Sequence, residues 1–421
     1  MLRRAFVLLL GTVALAGCGG GYGYGGYGYG GAPVSLSGVP AAAPTGAGPA
    51  GQRVAILLPL SGARADLGQG LLKAAQLALD APGAPPLDVK DTGGTPDGAA
   101  AAARSAISDG AGLILGPLTS PETAAVAPIA RSANVAVLAF TNDPSQAQPG
   151  VWTLGITPGQ QVRRLVAAAQ GQNKTQFAAM LPDTDFGHVM ADALTQATAA
   201  DGFAPPNVRF HSQGMASING TARDLSDYAD RGGPIYAKIR AARQSGTPEG
   251  RKEAQELAKT AVIPPPNFNV LLLADTGEAL AEVASVLPYY DVDRSQVQII
   301  GPSLWASPSS GSGQMSGAWY AAPDPAARAA FDQAYSAKNG GPAGPLSELA
   351  FDAASIARVL AGRGDFSVGA LTQSAGFLGA DGWFALLSDG QVRRALAVFV
   401  LERGGPQLLE PAPQSGNVPG A

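Results

Sequence analysis

Cysteine and histidine are nearly absent from this sequence, which has one Cys and two His among 421 residues. A single Cys excludes an internal disulfide framework and a thiolate-rich metal site. His188 and His211 have no Cys, Glu or second His at metal-ligand spacing, so the sequence predicts no metal centre. The chain also lacks a phosphate-binding loop and a nucleophile elbow. We therefore expect no cofactor and no catalytic residues.

Charge is scarce as well, because charged residues make up 14% of the chain and the formal net charge is −4. There is no basic excess to neutralise phosphates, which argues against nucleic acid as a partner. Glycine and proline are abundant by contrast, with 56 and 34 residues, and the excess of glycine is unevenly spread, with much of it before position 53. The remaining length, about 370 residues, suits two lobes better than one simple core.

The first 17 residues have the features of a bacterial signal peptide. A short basic stretch precedes an apolar run at 5–14, which is shorter than the roughly 20 residues of a membrane-spanning helix. The segment ends in Leu-Ala-Gly-Cys18, which resembles the lipobox of bacterial lipoproteins and implies lipidation of Cys18. Gly19 in place of Asp implies sorting to the outer membrane. The alternative is a chance Cys after an ordinary signal peptide.

Residues 18–52 are rich in Gly, Tyr and Pro and show no hydrophobic period. This composition predicts a flexible tether, because Gly supplies backbone freedom that no core recovers. An alternative is that its tyrosines stack on a ligand, but the favoured interpretation is that they are side chains of a flexible tether without a binding role. We therefore expect the globular part to begin at residue 53, held away from the lipid surface.

From residue 53 onward, short apolar runs alternate with helical patterns. Runs such as 53–59 predict buried parallel strands, and four strand–helix repeats over about 90 residues predict a doubly wound sheet with right-handed crossovers. The pattern restarts after Trp152, which predicts a second lobe. Near the end, residues 382–387 and 395–401 predict a hairpin.

The predicted fold class is therefore α/β, with two Rossmann-like doubly wound lobes joined by a hinge of several crossovers. A charged insert at 221–259, which contains Arg240, Arg243, Arg251 and Lys252, is expected to be helical and to present a solvated face. The expected boundaries are a signal peptide at 1–17, a tether at 18–52, lobe 1 at 53–154, lobe 2 at 155–301 with the insert at 221–259, a return to lobe 1 at 302–375, a return to lobe 2 at 376–410 and a tail at 411–421.

Six motifs, in order, resemble those of type I periplasmic binding proteins of the leucine/isoleucine/valine-binding kind. The resemblance runs from about residue 53 to 405 and implies two lobes that close on a ligand between them. The motifs are RVAILLPLSGARADLGQGLLKAAQLALD (53–80), LILGPLTSPET (113–123), AFTND (139–143), LPDTDFGHVMADAL (181–194), LAFDAASIARVLA (349–361) and GFLGADGWFALLSDG (376–390).

The resemblance implies a ligand cleft at the strand ends, where loops present backbone amides and helix N-termini. There Ser120 is expected to hold a carboxylate, Phe186 to cover an apolar side chain, and Asp275 or Glu278 to pair with an ammonium group. Plain capping is the alternative: Ser120 as an N-cap, or Asp275 as an N-cap with Glu278 completing a capping box. Leu67 departs from the aromatic residue of amino-acid binders. The full candidate set is Ser61, Leu118, Thr119, Ser120, Thr141, Phe186, Asp275 and Glu278.

A narrower resemblance concerns residues 274–305, which follow the charged insert. This stretch is similar to that of lipoproteins that activate penicillin-binding proteins. It implies a non-enzymatic regulator that is lipid-anchored at the outer membrane, has its globular part in the periplasm and contacts a peptidoglycan synthase. The alternative is an ABC-transporter substrate-binding protein for an amino acid or similar small solute, with a permease as partner.

Two D-T-G triplets, Asp91–Gly93 and Asp275–Gly277, raise a remote enzymatic alternative. Aspartic proteases carry two such triplets, whose carboxylates share a proton. Those enzymes are almost wholly β, whereas each triplet here leads into a predicted helix. Asp, Thr and Gly also suit strand-to-helix turns without any catalysis. We therefore expect a protein that is not an enzyme.

Overall fold

The computed structural model describes residues 32–36, 53–260, 263–307 and 310–416. The predicted signal peptide and Cys18 lie outside the described residues. Ala32–Ala421 forms one compact unit. Within the described ranges, no helix is both long and apolar enough to cross a bilayer.

Lobe 1 is built on a five-stranded parallel sheet. The strand Arg53–Leu58 has two buried faces: Val54, Ile56 and Leu58 belong to one core, and Ala55 and Leu57 to the other. The strands, in the spatial order β3-β2-β4-β5-β6, are β2 (Arg53–Leu58), β3 (Leu87–Asp91), β4 (Ala111–Leu115), β5 (Ala136–Ala139) and β6 (Val151–Thr153), with helices α1 (Ala65–Ala78), α2 (Pro96–Ser108) and α3 (Ser120–Ser132).

Lobe 2 has a seven-stranded sheet, ordered β16-β15-β11-β10-β9-β7-β8. Five strands are parallel, β15 is antiparallel to β11, and β16 is antiparallel to β15. The strands are β7 (Phe177–Pro182), β8 (Asn207–His211), β9 (Val270–Leu273), β10 (Gln298–Gly301), β11 (Trp319–Ala322), β15 (Ala397–Glu402) and β16 (Gly405–Glu410). The helices are α4 (Pro158–Gly171), α5 (Asp185–Ala200), α6 (Met215–Leu225), α7 (Tyr228–Arg231), α8 (Gly233–Gln244), α9 (Pro248–Thr260) and α10 (Gly277–Val286).

After β11 the chain returns to lobe 1 and then forms a third, four-stranded sheet. Helices α11 (Pro325–Asn339), α12 (Ser347–Ala361) and α13 (Val368–Leu371) contribute apolar side chains to the lobe 1 core, among them Phe331, Ile356 and Leu371. The third sheet has the order β1-β12-β13-β14 and consists of β1 (Val34–Ser35), β12 (Phe377–Gly379), β13 (Gly382–Leu386) and β14 (Val392–Arg394).

The strand β13 is shared by the cores of both lobes. Phe384 and Leu386 belong to the lobe 1 core, whereas Trp383 and Ala385 belong to the lobe 2 core. Successive residues of a strand point to opposite faces, so a single strand can contribute to both. The third sheet is therefore the structural joint between the lobes.

Side chains at the start of α4 fasten two of the crossovers to each other. Gln160 Nε2 donates to the carbonyl of Val392 at 2.5 Å, and Arg164 Nε donates to that of Leu396 at 2.8 Å. In the reverse direction, Arg394 Nη2 donates to the carbonyl of Leu154 at 3.2 Å. The predicted α/β class with a hinge of several crossovers is thus confirmed.

Two details of the predicted topology are wrong. Residues 382–387 do not form a hairpin with 395–401, because β13 pairs with β14 and β15 lies between β11 and β16 in the lobe 2 sheet. Most of β15 is buried, which requires an interior position rather than the edge of a two-stranded hairpin.

Part of the predicted tether belongs to the folded structure. Within it, β1 pairs in parallel with β12, and Val34 N donates to the carbonyl of Gly376 at 3.1 Å. Leu36 is 1% exposed in the lobe 1 core, and Arg358 Nη2 donates to its carbonyl at 3.0 Å. These contacts offset the low strand tendency of a Gly- and Pro-rich segment.

A buried cluster of charged side chains lies beside this joint. Arg328 Nη1 is 2.9 Å from Glu348 Oε2 and 3.5 Å from Asp381 Oδ1. Arg394 lies with its guanidinium carbon 4.9 Å from the centre of the Phe384 ring, in cation–π geometry. Burial raises the pKa of both Glu348 and Asp381. The charge of Asp381 raises the pKa of Glu348 further, whereas the charges of Arg394 and Arg328 partly offset the effect of burial on Asp381.

Asp352 is the most deeply buried member of this cluster. Its side chain is fully buried, Oδ1 accepts from Ala380 N at 2.7 Å, and Oδ2 has no hydrogen-bond partner. A Cβ at Gly379 would lie 2.4 Å from Oδ2, so the position requires glycine. Burial raises the pKa of Asp352 to about 7, although the nearby charge of Arg394 lowers it.

This elevated pKa predicts a pH-dependent stability. The carboxyl binds its proton more tightly in the folded than in the unfolded chain, so the free energy of unfolding falls as the pH rises from about 4 to about 7. We expect Asp352→Asn, which cannot titrate, to flatten this decline, as measured by urea unfolding across that range. The exposed Asp66→Asn serves as the control and should behave like the wild type. An unaltered decline in Asp352→Asn would contradict the prediction.

Candidate functional site

Two lobe 1 loops bring their hydroxyl groups together at the carboxyl ends of β4 and β5. Ser120 Oγ lies 2.8 Å from Thr141 Oγ1, which also accepts from Asp143 N at 3.1 Å. The structure thus places Ser120 and Thr141 side by side, as expected for a shared site. Parallel strands end at the same edge of their sheet, which explains why loops 21 residues apart meet here.

The predicted alternative that Ser120 caps a helix is wrong. The N-cap of α3 is Thr119, one residue earlier, and it forms a capping box with Glu122. Leu118 is 6% exposed and packs into the lobe 1 core, where it supports the loop. The Ser120 hydroxyl is therefore left to face its neighbours across the loop.

Glu122, a residue not singled out from the sequence, joins this loop to the one after β3. Its carboxylate is fully buried and accepts from Thr92 Oγ1 at 2.5 Å and from Thr119 Oγ1 at 2.7 Å. The Thr-x-x-Glu spacing of a capping box was the available sequence signal. The carboxylate accepts hydrogen bonds from both loops and plays a structural role.

Asp91 has a similar role at the neighbouring loop. Its Oδ1 accepts from Leu60 N at 2.9 Å, Ser61 N at 3.3 Å and Gly93 N at 2.8 Å. The hydrogen bond from Gly93, followed by that from the Ser61 side chain, lowers the pKa of Asp91. The candidate residue Ser61 is exposed and therefore accessible, but both its amide and its hydroxyl are directed to Asp91.

Asp143 places a negative charge beside the hydroxyl pair. Burial would raise the pKa of its carboxyl, but hydrogen bonds from Ser145 and from the Ser120 hydroxyl lower it below the ordinary value. The carboxylate therefore stays ionised at neutral pH. The Ser120 hydroxyl, which the sequence assigned to a ligand carboxylate, already interacts with a carboxylate of the chain itself.

In lobe 2, the carboxyl ends of β7, β8 and β9 surround a cavity of about 930 Å³. Three predicted residues, Phe186, Asp275 and Glu278, line it together. None of its lining residues is Lys or Arg. The full lining consists of Pro182, Asp183, Thr184, Phe186, His211, Ser212, Gln213, Gly214, Ile218, Ala274, Asp275, Thr276, Glu278, Ala279 and Glu282.

A buried histidine–carboxylate pair forms part of the cavity wall. His211 Nε2 lies 3.2 Å from Asp275 Oδ2, and Nδ1 lies 3.1 Å from the carbonyl of Ser212. Both partners are acceptors, so the doubly protonated imidazolium satisfies both. Burial opposes the charged form, but the hydrogen bond and charge of Asp275 raise the pKa of His211 above its ordinary value.

The capping alternative for Asp275 is wrong as well. The N-cap of α10 is Thr276, whose side chain makes no capping hydrogen bond, while the Asp275 carboxylate faces His211. Its carbonyl accepts from Trp305 Nε1 at 2.9 Å. Since β7 lies between β8 and β9, the pair spans the end of β7.

The two D-T-G triplets are not arranged as a proton-sharing dyad. Asp91 is the last residue of β3 in the five-stranded sheet and is held by backbone amides, whereas Asp275 follows β9 of the seven-stranded sheet and pairs with His211. An aspartic protease needs two carboxylates in direct contact. The triplets instead serve as strand-to-helix turns.

The elevated pKa of His211 can be measured directly by NMR titration, since the chain has only two histidines. The ion pair contributes stability that is complete below pH 6.5 and is lost as the pH rises through the raised pKa. We expect Asp275→Asn to lower the pKa of His211. Asp183→Asn, which removes the partner of His188 instead, should leave the His211 titration unchanged. A His211 titration that ignores Asp275→Asn would contradict this.

Comparison with known proteins reveals a match to the family model described as periplasmic binding protein, over residues 51–405. Among solved structures, a putative branched-chain amino acid ABC transporter from Rhodospirillum rubrum is 21% identical, with a TM-score of 0.63, covering 85% of this chain and 99% of that one. The C-domain of LpoA from Haemophilus influenzae, described as a regulator of PBP1A, is 16% identical, with a TM-score of 0.59 and coverage of 85% and 99%.

Two further matches cover only part of the other protein. The chain spans 59% of full-length LpoA from Haemophilus influenzae, at 16% identity and a TM-score of 0.59. An uncharacterized protein of Rickettsia prowazekii is 22% identical over 118 residues, which is 28% of this chain and 32% of that protein. At these identities the structural matches establish the shared fold.

Proposed function

The chain belongs to the periplasmic binding protein family, as six motifs predicted, and we propose that it is a non-enzymatic, lipid-anchored regulator of a peptidoglycan synthase. The periplasm is the compartment in which such a synthase is reached. The C-domain of LpoA, described as a regulator of PBP1A, shows that this fold occurs in such a regulator. A putative ABC transporter shares the fold too, so the residues of the cleft must decide between a regulatory and a transport function.

The observation that carries the proposal is the position of Asp143 beside Ser120 and Thr141. An amino-acid ligand would bring its own carboxylate to these hydroxyls, next to an ionised carboxylate of the protein. Two carboxylates at one site disfavour each other's ionised form, so binding there is opposed. Leu67, which replaces the aromatic residue of amino-acid binders, packs against the lobe 1 core. The lobe 1 half of the cleft is thus poorly suited to a free amino acid.

A second candidate function is the binding of an amine-bearing solute for transport. The cavity in lobe 2 favours it, because Asp183, Asp275, Glu278 and Glu282 line that cavity and no cationic side chain does. An ammonium group would find charge complementarity there, and Phe186 would cover an adjoining apolar part. This candidate retains the hinge-closure mechanism of the family and changes the ligand class.

Both functions are tested on the purified protein. We expect it to increase the rate of glycan polymerisation by the purified penicillin-binding protein of the same organism. We also expect no rise in Tm with any of the twenty amino acids. Binding would be detected, since a ligand at 100 times its Kd would add about 2.7 kcal/mol to the free energy of unfolding. An amino acid that raises Tm, together with no effect on the synthase, would contradict the proposal.

The same thermal scan discriminates the second candidate. A rise in Tm with 1,4-diaminobutane that is abolished in Asp275→Asn/Glu278→Gln would support binding of an amine-bearing solute in lobe 2. Asp192→Asn/Glu253→Gln makes the same change of charge at exposed positions outside this cavity and is the matched control. No response to the diamine would remove this candidate.

Membrane attachment is proposed to depend on Cys18. We expect Cys18→Ser, expressed in a Gram-negative host, to move the protein from the membrane fraction to the soluble periplasmic fraction, because the acyl chains that anchor it can no longer be attached. Fractionation and metabolic labelling with an alkyne fatty acid measure the effect. Cys18→Ser protein that remains labelled and in the membrane fraction would contradict the lipidation site.

A further inference from the structure

Helix α8 carries an unpaired positive charge on a chain that is negative overall. Lys238, Arg240 and Arg243 are exposed, and Gly233–Gln244 contains no Asp or Glu. In the described part of the chain, these three side chains have no ion pair or hydrogen-bond partner. Such a set of cations differs from the neighbouring α9, where basic and acidic residues alternate.

Two of these cations line a groove along α8. Tyr236, Ile239, Arg240 and Arg243 follow the spacing i, i+3, i+4, i+7, so they share one face of the helix. The groove is open to the surface, has a volume of about 390 Å³ and combines aromatic rings, one aliphatic side chain and two guanidinium groups. We call it the α8 groove, and its lining consists of Tyr228, Gly233, Tyr236, Ile239, Arg240 and Arg243.

The aromatic wall of the α8 groove is held in place by neighbouring rings. Tyr228 stacks on Tyr236 with ring centres 5.8 Å apart and meets the edge of Tyr290 at 5.2 Å. Burial, with a contribution from Tyr236, raises the pKa of Tyr228 to about 12, so its hydroxyl stays protonated. A Cβ at Gly232 would lie 3.2 Å from Tyr236 and 3.3 Å from Tyr228, so glycine lets both rings approach the backbone.

Arg231 fastens the segment that carries this wall to the body of lobe 2. Its guanidinium donates to the carbonyls of Ser226, Pro264 and Tyr290, the last at 2.9 Å. These three bonds use Nε, Nη1 and Nη2 and come from different parts of the chain. A groove fixed in this way loses little conformational freedom when a partner binds.

We propose that the α8 groove docks an acidic segment of the peptidoglycan synthase, one that carries an apolar or aromatic side chain. This inference rests on the proposed function. Arg240 and Arg243 supply planar donors that match carboxylates, and Tyr236 with Ile239 supplies an apolar wall for the neighbouring side chain. Tyrosine and arginine are also the residues most enriched at the energetic centres of protein interfaces.

A protein segment fits the groove better than an anionic membrane does. A lipid surface is flat and is attracted by cations spread over a face, at about 1 kcal/mol for each Lys or Arg. The α8 groove is concave, and its aromatic wall lies beside two of the three cations of α8. Its shape and composition therefore match a protein segment in which carboxylates flank an apolar or aromatic side chain.

The test uses the full chain and the purified synthase in a direct binding measurement at about 0.15 M salt. We expect Arg240→Glu/Arg243→Glu to weaken the Kd by about tenfold or more, and Tyr236→Ala to weaken it as well. Lys252→Glu/Lys259→Glu is the matched control, because it makes the same change of charge on exposed residues of α9. It should bind within about twofold of the wild type. Circular dichroism establishes that each variant is folded.

The outcomes separate this inference from the proposed function. A wild-type chain that does not bind the synthase would overturn the proposed function and the docking site with it. Binding that is unaffected by Arg240→Glu/Arg243→Glu, or equally weakened by the α9 control, would overturn the docking site alone. If Arg240→Glu/Arg243→Glu loses binding to vesicles of phosphatidylethanolamine and phosphatidylglycerol but still binds the synthase, the groove is a membrane-binding site. That result would also overturn the proposed docking site.

Discussion

The architecture depends on a single strand that belongs to two hydrophobic cores. In β13, alternate side chains point into lobe 1 and lobe 2, so neither core is complete without it. Trp152 Nε1 donates to the carbonyl of Leu387, just beyond this strand, at 2.6 Å, and Trp383 Nε1 donates to that of Ala375 at 2.9 Å. The turn before β13 places Asp381 in the buried charge cluster. Apolar packing and buried charges therefore occur at the same joint, so any relative motion of the lobes must preserve both.

The strand ends show how polar side chains are divided between structure and recognition. In lobe 1, Asp91 and Glu122 accept hydrogen bonds from their own loops and from neighbouring ones, and Asp143 lies beside the Ser120 hydroxyl. In lobe 2, Asp275 is paired with His211, but Glu278 and Phe186 face the cavity. The two halves of the cleft thus differ: lobe 1 is internally satisfied and lobe 2 keeps free acidic groups.

Much of the fold could be predicted from sequence, because its signals are local. Apolar runs such as β2 and β4 mark buried parallel strands, and ordered motifs mark the family. The failures have non-local causes. The pairing of His211 with Asp275 follows from the sheet order, and the placement of β15 follows from a crossover that local alternation does not encode. Thr119 and Ser120 are adjacent capping residues before a proline, so sequence left a one-residue ambiguity, and the two residues of β1 are too short for any period.

The pairing of β1 with β12 has a mechanical consequence. Any tension on the chain N-terminal to Ala32 enters the folded unit through Val34–Leu36, whose backbone bonds to the strand next to β13. The buried Leu36 side chain and the bond from Arg358 to its carbonyl resist extraction of this segment. Force is thus delivered to the sheet that joins the lobes, and not to the rim of either lobe. A pull from the proposed lipid anchor would therefore act first on the hinge.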